Sequence, residues 1–160
     1  MNDKNYFGIG FKNDSGGYEI RNKYSKICLG KKDVSMIKNG SENLKIFEGF
    51  FDFLSFKNIE KSLSDEKSDY IILNSVSMIS KIKSLLENHK NIGLYFDNDE
   101  AGNRAVETLK KEFENVEDDR ILYKDFKDLN DWVMSSAKLE EKFGGSLVQK
   151  VPKVYNKRSR

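Results

Sequence analysis

Two apolar runs in this chain end in carboxylates, and each is followed at once by a stretch with helical texture. The first is Ile46-Phe47-Glu48-Gly49-Phe50-Phe51-Asp52, and the second is Leu94-Tyr95-Phe96-Asp97-Asn98-Asp99-Glu100-Ala101-Gly102. A buried strand ending in acid, then glycine and an amphipathic helix, delivers charge to the carboxyl-terminal edge of an α/β sheet, where open α/β sheets bind ligands. Two such deliveries from one small sheet crowd carboxylates together. Their mutual repulsion costs stability unless a cation neutralises it.

The texture around these runs predicts an α/β fold with a mostly parallel, four-stranded sheet flanked by helices and a small β-rich N-terminal lobe. In the lobe, segments at Tyr6–Phe11, Tyr18–Arg21 and Lys26–Leu29 have strand character. The turn Asn13-Asp14-Ser15-Gly16-Gly17 joins the first two as a hairpin. From Leu44 the pattern alternates. Strands are expected at Leu44–Phe47, Tyr70–Leu73, Asn91–Phe96 and Arg120–Tyr123. Helices are expected at Phe50–Asn58, from Val76 through Leu86, at Glu100–Glu114 and from Asp131 onward. Repeated βα units of this kind make a parallel sheet covered by helices. The expected divisions are residues 1–42 for the basic lobe, 43–135 for the catalytic domain and 136–160 for a basic, mobile tail.

A chain of 160 residues is long enough for one core. No apolar run approaches the ~20 residues of a membrane span, and the N-terminus has no signal-peptide pattern, so a cytoplasmic protein with no membrane partner is expected. Cys28 is the single cysteine and His89 the single histidine. An internal disulfide and a Cys/His zinc site are both excluded within these residues. The net charge of +2 hides a segregation. Residues 1–45 hold nine Lys/Arg against five Asp/Glu, residues 46–137 twelve against nineteen, and residues 138–160 seven against two. An acidic centre between basic flanks suits a metal-dependent enzyme acting on a polyanion, and equally an ordinary charged surface.

Within the acidic centre, Asp97 and Asp99 alternate at a strand end and reach the same side, with Asn98 turned away. Asp52 lies one helical turn beyond Glu48 and can face it. Asp128 and Asp131 come after the last predicted strand and can close the ring. Hard oxygen donors without His or Cys select Mg²⁺ or Mn²⁺, and a Mg²⁺ held by a few carboxylates expects phosphate as its remaining partner. Elsewhere Cys28 is expected as a small buried hydrophobe, His89 as a helix-end charge, and Trp132 as a wedge between the last helix and the sheet. The phenylalanines from Phe47 to Phe56 are expected in the core.

Glu-Gly-x-x-Asp at Glu48, Gly49 and Asp52, followed by Asp-x-Asp-x-Ala-Gly at Asp97, Asp99, Ala101 and Gly102, resembles the Toprim domain. That domain is shared by primases, type IA and type II topoisomerases, and some nucleases and repair proteins. Arg104-Ala105 downstream and Lys127-Asp128-Leu129-Asn130-Asp131 are similar to the primase forms of phages and mobile elements. Gly8-Ile9-Gly10-Phe11 is similar to the strand that precedes Toprim in bacterial primases. The resemblance implies a DNA primase-type nucleotidyltransferase in a prokaryotic, phage or mobile-element setting. Its ligands would be single-stranded DNA and nucleoside triphosphates, its cofactor Mg²⁺ or Mn²⁺, and its partners a helicase or zinc-binding module on another segment or chain. It implies catalytic roles for Glu48, Asp97 and Asp99, and metal ligation by Glu48, Asp52, Asp97, Asp99 and Asp128. Nucleic-acid or nucleotide contacts fall to Arg21, Lys23, Lys26 and Lys127. Replicative primases carry an acidic residue where Asn130 stands. A non-catalytic nucleic-acid-binding module of a replication or mobilisation complex and a Toprim nuclease are the alternatives.

Overall fold

The computed structural model describes residues 7–63 and 66–143. Strands β1 (Ile9–Lys12), β2 (Tyr18–Arg21) and β3 (Lys26–Leu29) form an antiparallel sheet in that order. The main sheet contains β4 (Ser35–Ile37), β5 (Asn43–Phe47), β6 (Asp69–Ile72), β7 (Asn91–Tyr95) and β8 (Val116–Asp118), in the order β4-β6-β5-β7-β8. All of its pairings are parallel except β4 against β6. Helices α1 (Phe50–Leu63), α2 (Ile79–Leu86), α3 (Glu100–Glu112) and α4 (Leu129–Phe143) cover it. The expected class, a largely parallel sheet between helices with a small antiparallel lobe, is the one observed.

The near-continuous apolar character of β5, β6 and β7 reflects burial on both faces. Side chains alternate between two cores along each strand. Phe47, Tyr70, Ile72 and Tyr95 point to the side of α1 and α4, where they meet Phe53, Phe56, Leu129 and Trp132. Leu44, Ile46, Ile71 and Leu94 point to the other side, where Ile82 and Leu86 of α2 and Ala105 and Leu109 of α3 close over them. The aromatic crowding near the first acidic run is therefore core packing. Phe47 stacks on Tyr95 at 4.9 Å between centroids and meets Phe56 at 5.3 Å. Trp132 is buried, as expected for a wedge under α4.

Two elements differ from the sequence expectation. The last parallel strand is Val116–Asp118, and Arg120–Tyr123 lies in a 3-10 turn spanning Asp119–Tyr123. The Asp118 side chain accepts from the Arg120 amide at 3.1 Å and ends the strand there, while Tyr123 turns its hydroxyl back to the Phe96 carbonyl at 2.8 Å. Strand β4 lies in a short stretch flanked by lysines, with no alternation to mark it. Its pairing to β6 adds an antiparallel edge to the sheet, and α4 runs on to Phe143. The basic stretch from 144 to 160, and Tyr6 at the start of the first predicted strand, lie outside the described residues. Cys28 is half-buried rather than buried.

The lobe is fastened to the main sheet by rings and hydrogen bonds. Phe11 stacks on Phe50 at 5.4 Å with an interplanar angle of 9° and meets Phe53 edge-on at 5.9 Å. The Asp14 amide donates to the Val34 carbonyl at 2.9 Å, and Ser35 Oγ to the Lys12 carbonyl at 3.0 Å. Asp33 accepts from Ser15 and pairs with Lys81 of α2 at 2.6 Å, so its carboxyl is held down at about 2. Removing the ring with Phe11→Ala is expected to cost about 2 kcal/mol, below the range for a fully buried phenylalanine because Phe11 is only partly buried. Limited proteolysis should then cut within residues 7–33 before the main sheet, and equal protection of both regions would contradict this account of the attachment.

Candidate metal centre

The parallel strands β5 and β7 stop at the same edge, and the carboxylates stand in the loops and helix starts just past it. Glu48 comes after β5, Asp97 and Asp99 after β7, Asp52 sits in the first turn of α1, and Asp128 precedes α4. Asp52, Asp97 and Asp128 each offer a carboxylate oxygen within 4.8 Å of the others. Glu48 joins them through its Oε2, which accepts from the Asp97 amide at 3.3 Å. Gly102 lets the α3 N-terminus approach so closely: a Cβ there would lie 2.1 Å from the Asp97 carbonyl oxygen.

Burial sets the electrostatics. Asp52 is 7% exposed. Burial and then the charge of Asp128 push its carboxyl up to about 7, against one hydrogen bond from the Asn130 amide at 3.1 Å. Asp97 is also pushed up to about 7, by burial first and then by the charges of Glu48 and Asp128. Burial raises Glu48 as well. Such a cluster carries protons near neutral pH when it has no counterion, and three carboxylates without nitrogen or sulfur donors fit a hard divalent cation.

Asp99 occupies the rim. It is exposed and caps α3 by accepting from the Gly102 amide at 2.8 Å, which commits one of its oxygens. Asp128 likewise accepts from the Asp131 amide at 2.7 Å, a capping role at the start of α4. Asp131 is exposed and stands outside the three-carboxylate group, correcting the expectation that it closes the ring. Asp52 is oriented toward Asp97 and Asp128 as well as lying near the glutamate turn.

Of the basic candidates, Arg21 reaches the edge. Its Nη2 lies 3.3 Å from where a Cβ of Gly49 would sit, and its guanidinium carbon is 5.9 Å from the Phe50 ring centre. Lys26 pairs with it across β2 and β3, and burial followed by the Arg21 charge lowers its pKa. Lys127 is exposed, and its charge opposes the rise in the Asp97 pKa. Lys23 sits in the turn between β2 and β3, with its ammonium 5.6 Å from the Tyr24 ring centre.

Sequence reasoning missed the residues that hold the ring together. Asn98 turns away from the carboxylates, as expected, but its backbone N–H donates to the Lys127 carbonyl at 2.7 Å. Its side chain donates to the carbonyls of Tyr123 at 3.1 Å and Phe126 at 2.8 Å. These bonds staple the loop bearing Asp97 to the loop bearing Asp128. Arg120 adds a contact to the Asp97 carbonyl at 3.4 Å while gripping Asp118 and Asn103. Asn130 holds Asp52 through its amide and is itself held by Ser55 Oγ at 2.9 Å. An amide between two aspartates was the only local signal for Asn98, because its partners lie 25 to 29 residues away in sequence.

A family model described as Toprim-like matches residues 45–133, more than half of the chain. The chain belongs to the Toprim-like family. A second model, a domain of unknown function, matches residues 1–30. The Toprim-like chain shares its fold with the primase fragment of the bacteriophage T7 primase-helicase, at a TM-score of 0.60 and 19% identity over 86% of this chain. It spans 60% of the length of that fragment. A second T7 structure contains primase domains of two gp4 subunits bound to an RNA/DNA hybrid and dTTP. It is matched at a TM-score of 0.59 and 19% identity over 89% of this chain and 74% of that one. No curated protein sequence matches the chain. Among the described residues no helix is long and apolar enough to cross a membrane.

Asn98→Ala should weaken Mn²⁺ binding roughly tenfold, as loss of a ligand-orienting contact does. Titration followed by the electron paramagnetic resonance of free Mn²⁺ measures it. Asn115→Ala removes a comparable bond to the His89 carbonyl at the opposite sheet edge, and should leave the affinity unchanged. The metal-free protein should also lose stability as pH rises. Asp52 and Asp97 titrate near 3.8 when unfolded and about 7 when folded, so the folded state holds more protons between those values. The resulting stability is complete below about pH 4 and is lost as pH passes about 7. Asp52→Asn, which keeps an acceptor for Asn130, should stabilise the metal-free protein at pH 8 by about 2 kcal/mol. A melting temperature that is flat from pH 5 to 8, or lowered by the substitution, would contradict the burial argument.

Proposed function

We propose that the chain is the catalytic core of a divalent-metal-dependent nucleotidyltransferase of DNA primase type. Its reaction joins nucleoside triphosphates into a primer on a single-stranded DNA template. The observation that carries this reading is the convergence of Asp52, Asp97 and Asp128 at the carboxyl edge, with Arg21 and Lys26 of the lobe facing the same edge. Carboxylates able to hold a metal, with lobe cations close to Glu48 at the same sheet edge, suit a substrate that is itself a polyphosphate.

Asp52, Asp97 and Asp128 would hold Mg²⁺ or Mn²⁺, with Glu48 and Asp99 at the margin. When bound, the cation supplies positive charge to the transferring phosphate and its leaving group. The remaining work falls to the side chains. Glu48 is tied at Oε2 by the Asp97 amide, which leaves its other oxygen for a proton, and burial raises its pKa above the usual carboxylate value. In this reading it accepts the proton of the attacking 3′-hydroxyl on its other oxygen. Arg21 and Lys26 orient the phosphates of the incoming nucleotide, and Lys127 offsets the crowded negative charge around Asp97. The second T7 structure, with its RNA/DNA hybrid and dTTP, supports the choice of ligands.

Primer synthesis on a single-stranded template, with Mn²⁺ or Mg²⁺ and labelled nucleoside triphosphates, tests the assignment. Glu48→Gln should reduce the rate by at least about a hundredfold, the usual scale for losing a general base. Asp97→Asn should reduce both the rate and the Mn²⁺ affinity. Template cleavage in place of synthesis would assign a nuclease. Binding with neither activity would leave the acidic edge a structural relic in a binding module.

A further inference from the structure

The turn between β2 and β3, residues Asn22–Ser25, lies just beyond the Arg21–Lys26 pair that faces the carboxylates. Asn22 organises it almost alone. Its backbone N–H donates to the Ser25 carbonyl at 3.1 Å, and its Oδ1 accepts from the amides of Tyr24 and Ser25 at 2.8 Å each and from Ser25 Oγ at 3.0 Å. Its Nδ2 donates to the Phe7 carbonyl at 2.9 Å, tying the turn to the chain entering β1. A side chain bonded in this way fixes the turn. What the turn presents is nonetheless an aromatic ring with no packing role: Tyr24 is 87% exposed, the most exposed large hydrophobic side chain among the described residues. The Lys23 Nζ stands 5.6 Å from the centre of that ring.

A second observation concerns Arg21, the last residue of β2. The Arg21 Nε is buried and has no hydrogen-bond partner. Buried donors are rarely left unsatisfied, and the same guanidinium places its Nη2 beside Gly49 at the carboxylate edge. The exposed ring and the Lys23 ammonium sit in the turn, and the strands it joins carry the paired Arg21 and Lys26, whose charges act on Glu48. Single strands bind where aromatic faces take bases and neighbouring cations take phosphates. A duplex keeps its base faces stacked internally and has none to offer Tyr24.

We propose that the Asn22–Ser25 turn is a landing site for single-stranded DNA, with one base stacked on Tyr24, a phosphate on Lys23, and Arg21 and Lys26 leading the strand to the carboxylate edge. The direction of that path rests on the nucleic-acid reading of the edge, whereas the landing site itself does not. Fluorescence anisotropy of a labelled oligothymidylate, titrated with the whole chain in EDTA, separates the two. Tyr24→Ala should weaken binding between about 5-fold and about 100-fold, the scale of one lost stacking contact, and Tyr24→Phe should restore it. Lys23→Ala should reduce the slope of affinity against salt by about 0.7, as for one phosphate on a single strand. Tyr18→Ala, at the far end of β2, should leave affinity unchanged. Retained affinity in Tyr24→Ala, an equal loss in Tyr18→Ala, or binding only of duplex overturns the proposal, as does capture of an acidic peptide but no oligonucleotide. If wild-type chain binds through Tyr24 yet makes no primer, the landing site stands and the catalytic reading fails. If primer is made and Tyr24→Ala leaves the template KM unchanged, the reverse holds.

Discussion

The structure is organised around a repulsion. Asp52, Asp97 and Asp128 come from three separate segments and meet at one edge of the sheet, Asp52 buried and the other two half-buried, where burial and neighbouring charge oppose ionisation of Asp52 and Asp97. No local preference brings such groups together. The parallel sheet does, because β5 and β7 are neighbours in register and end at the same level, Phe47 opposite Tyr95. The loops are then closed by hydrogen bonds that leave most of the carboxylate oxygens open: Asn98 and Tyr123 bind carbonyls, and Asn130 offers its amide to one oxygen of Asp52. The fold thus spends stability on a site whose charge must be balanced by bound protons or a cation, a common signature of function.

The lobe makes chemical sense against the same constraint. Its cations cannot lie within the carboxylate ring without quenching it, and they do not. Arg21 and Lys26 belong to the lobe and lie close to Glu48, and the lobe is held there by the stacking of Phe11 on Phe50 and its edge-on contact with Phe53. The charge segregation visible along the chain brings lobe cations close to edge carboxylates in the fold.

Much of the architecture was legible because burial on two faces leaves a strong pattern. The strands β5, β6 and β7 show as apolar runs, and β2 and β3 fall where turn residues bracket them. The misplaced last strand has a physical explanation: Ile121-Leu122-Tyr123 is as apolar as a strand, but Asp118 caps the segment and the Tyr123 hydroxyl is drawn to the Phe96 carbonyl. β4 is too short to show any alternation, and its pairing with β6 comes from tertiary packing. In the site, Glu48, Asp97 and Asp99 were visible because acid at a strand end is unusual. Asn98 was not, since an asparagine in a turn is ordinary until its partners are known.

The amino-acid sequence by itself determined the chemistry available: hard oxygen donors at two strand ends, no cysteine or histidine set for zinc, and a basic N-terminal segment. These depend on residue identity and short-range spacing, which need no coordinates. Only the tertiary structure decided which carboxylates converge. It placed Asp128 in the three-carboxylate group and Asp131 outside it, set Asp99 on the rim as a helix cap, and left Tyr24 exposed beside the Lys23 ammonium. The reason is physical. Convergence depends on strand register, loop closure and hydrogen bonds between residues tens of positions apart, and those terms exist only once the chain has folded.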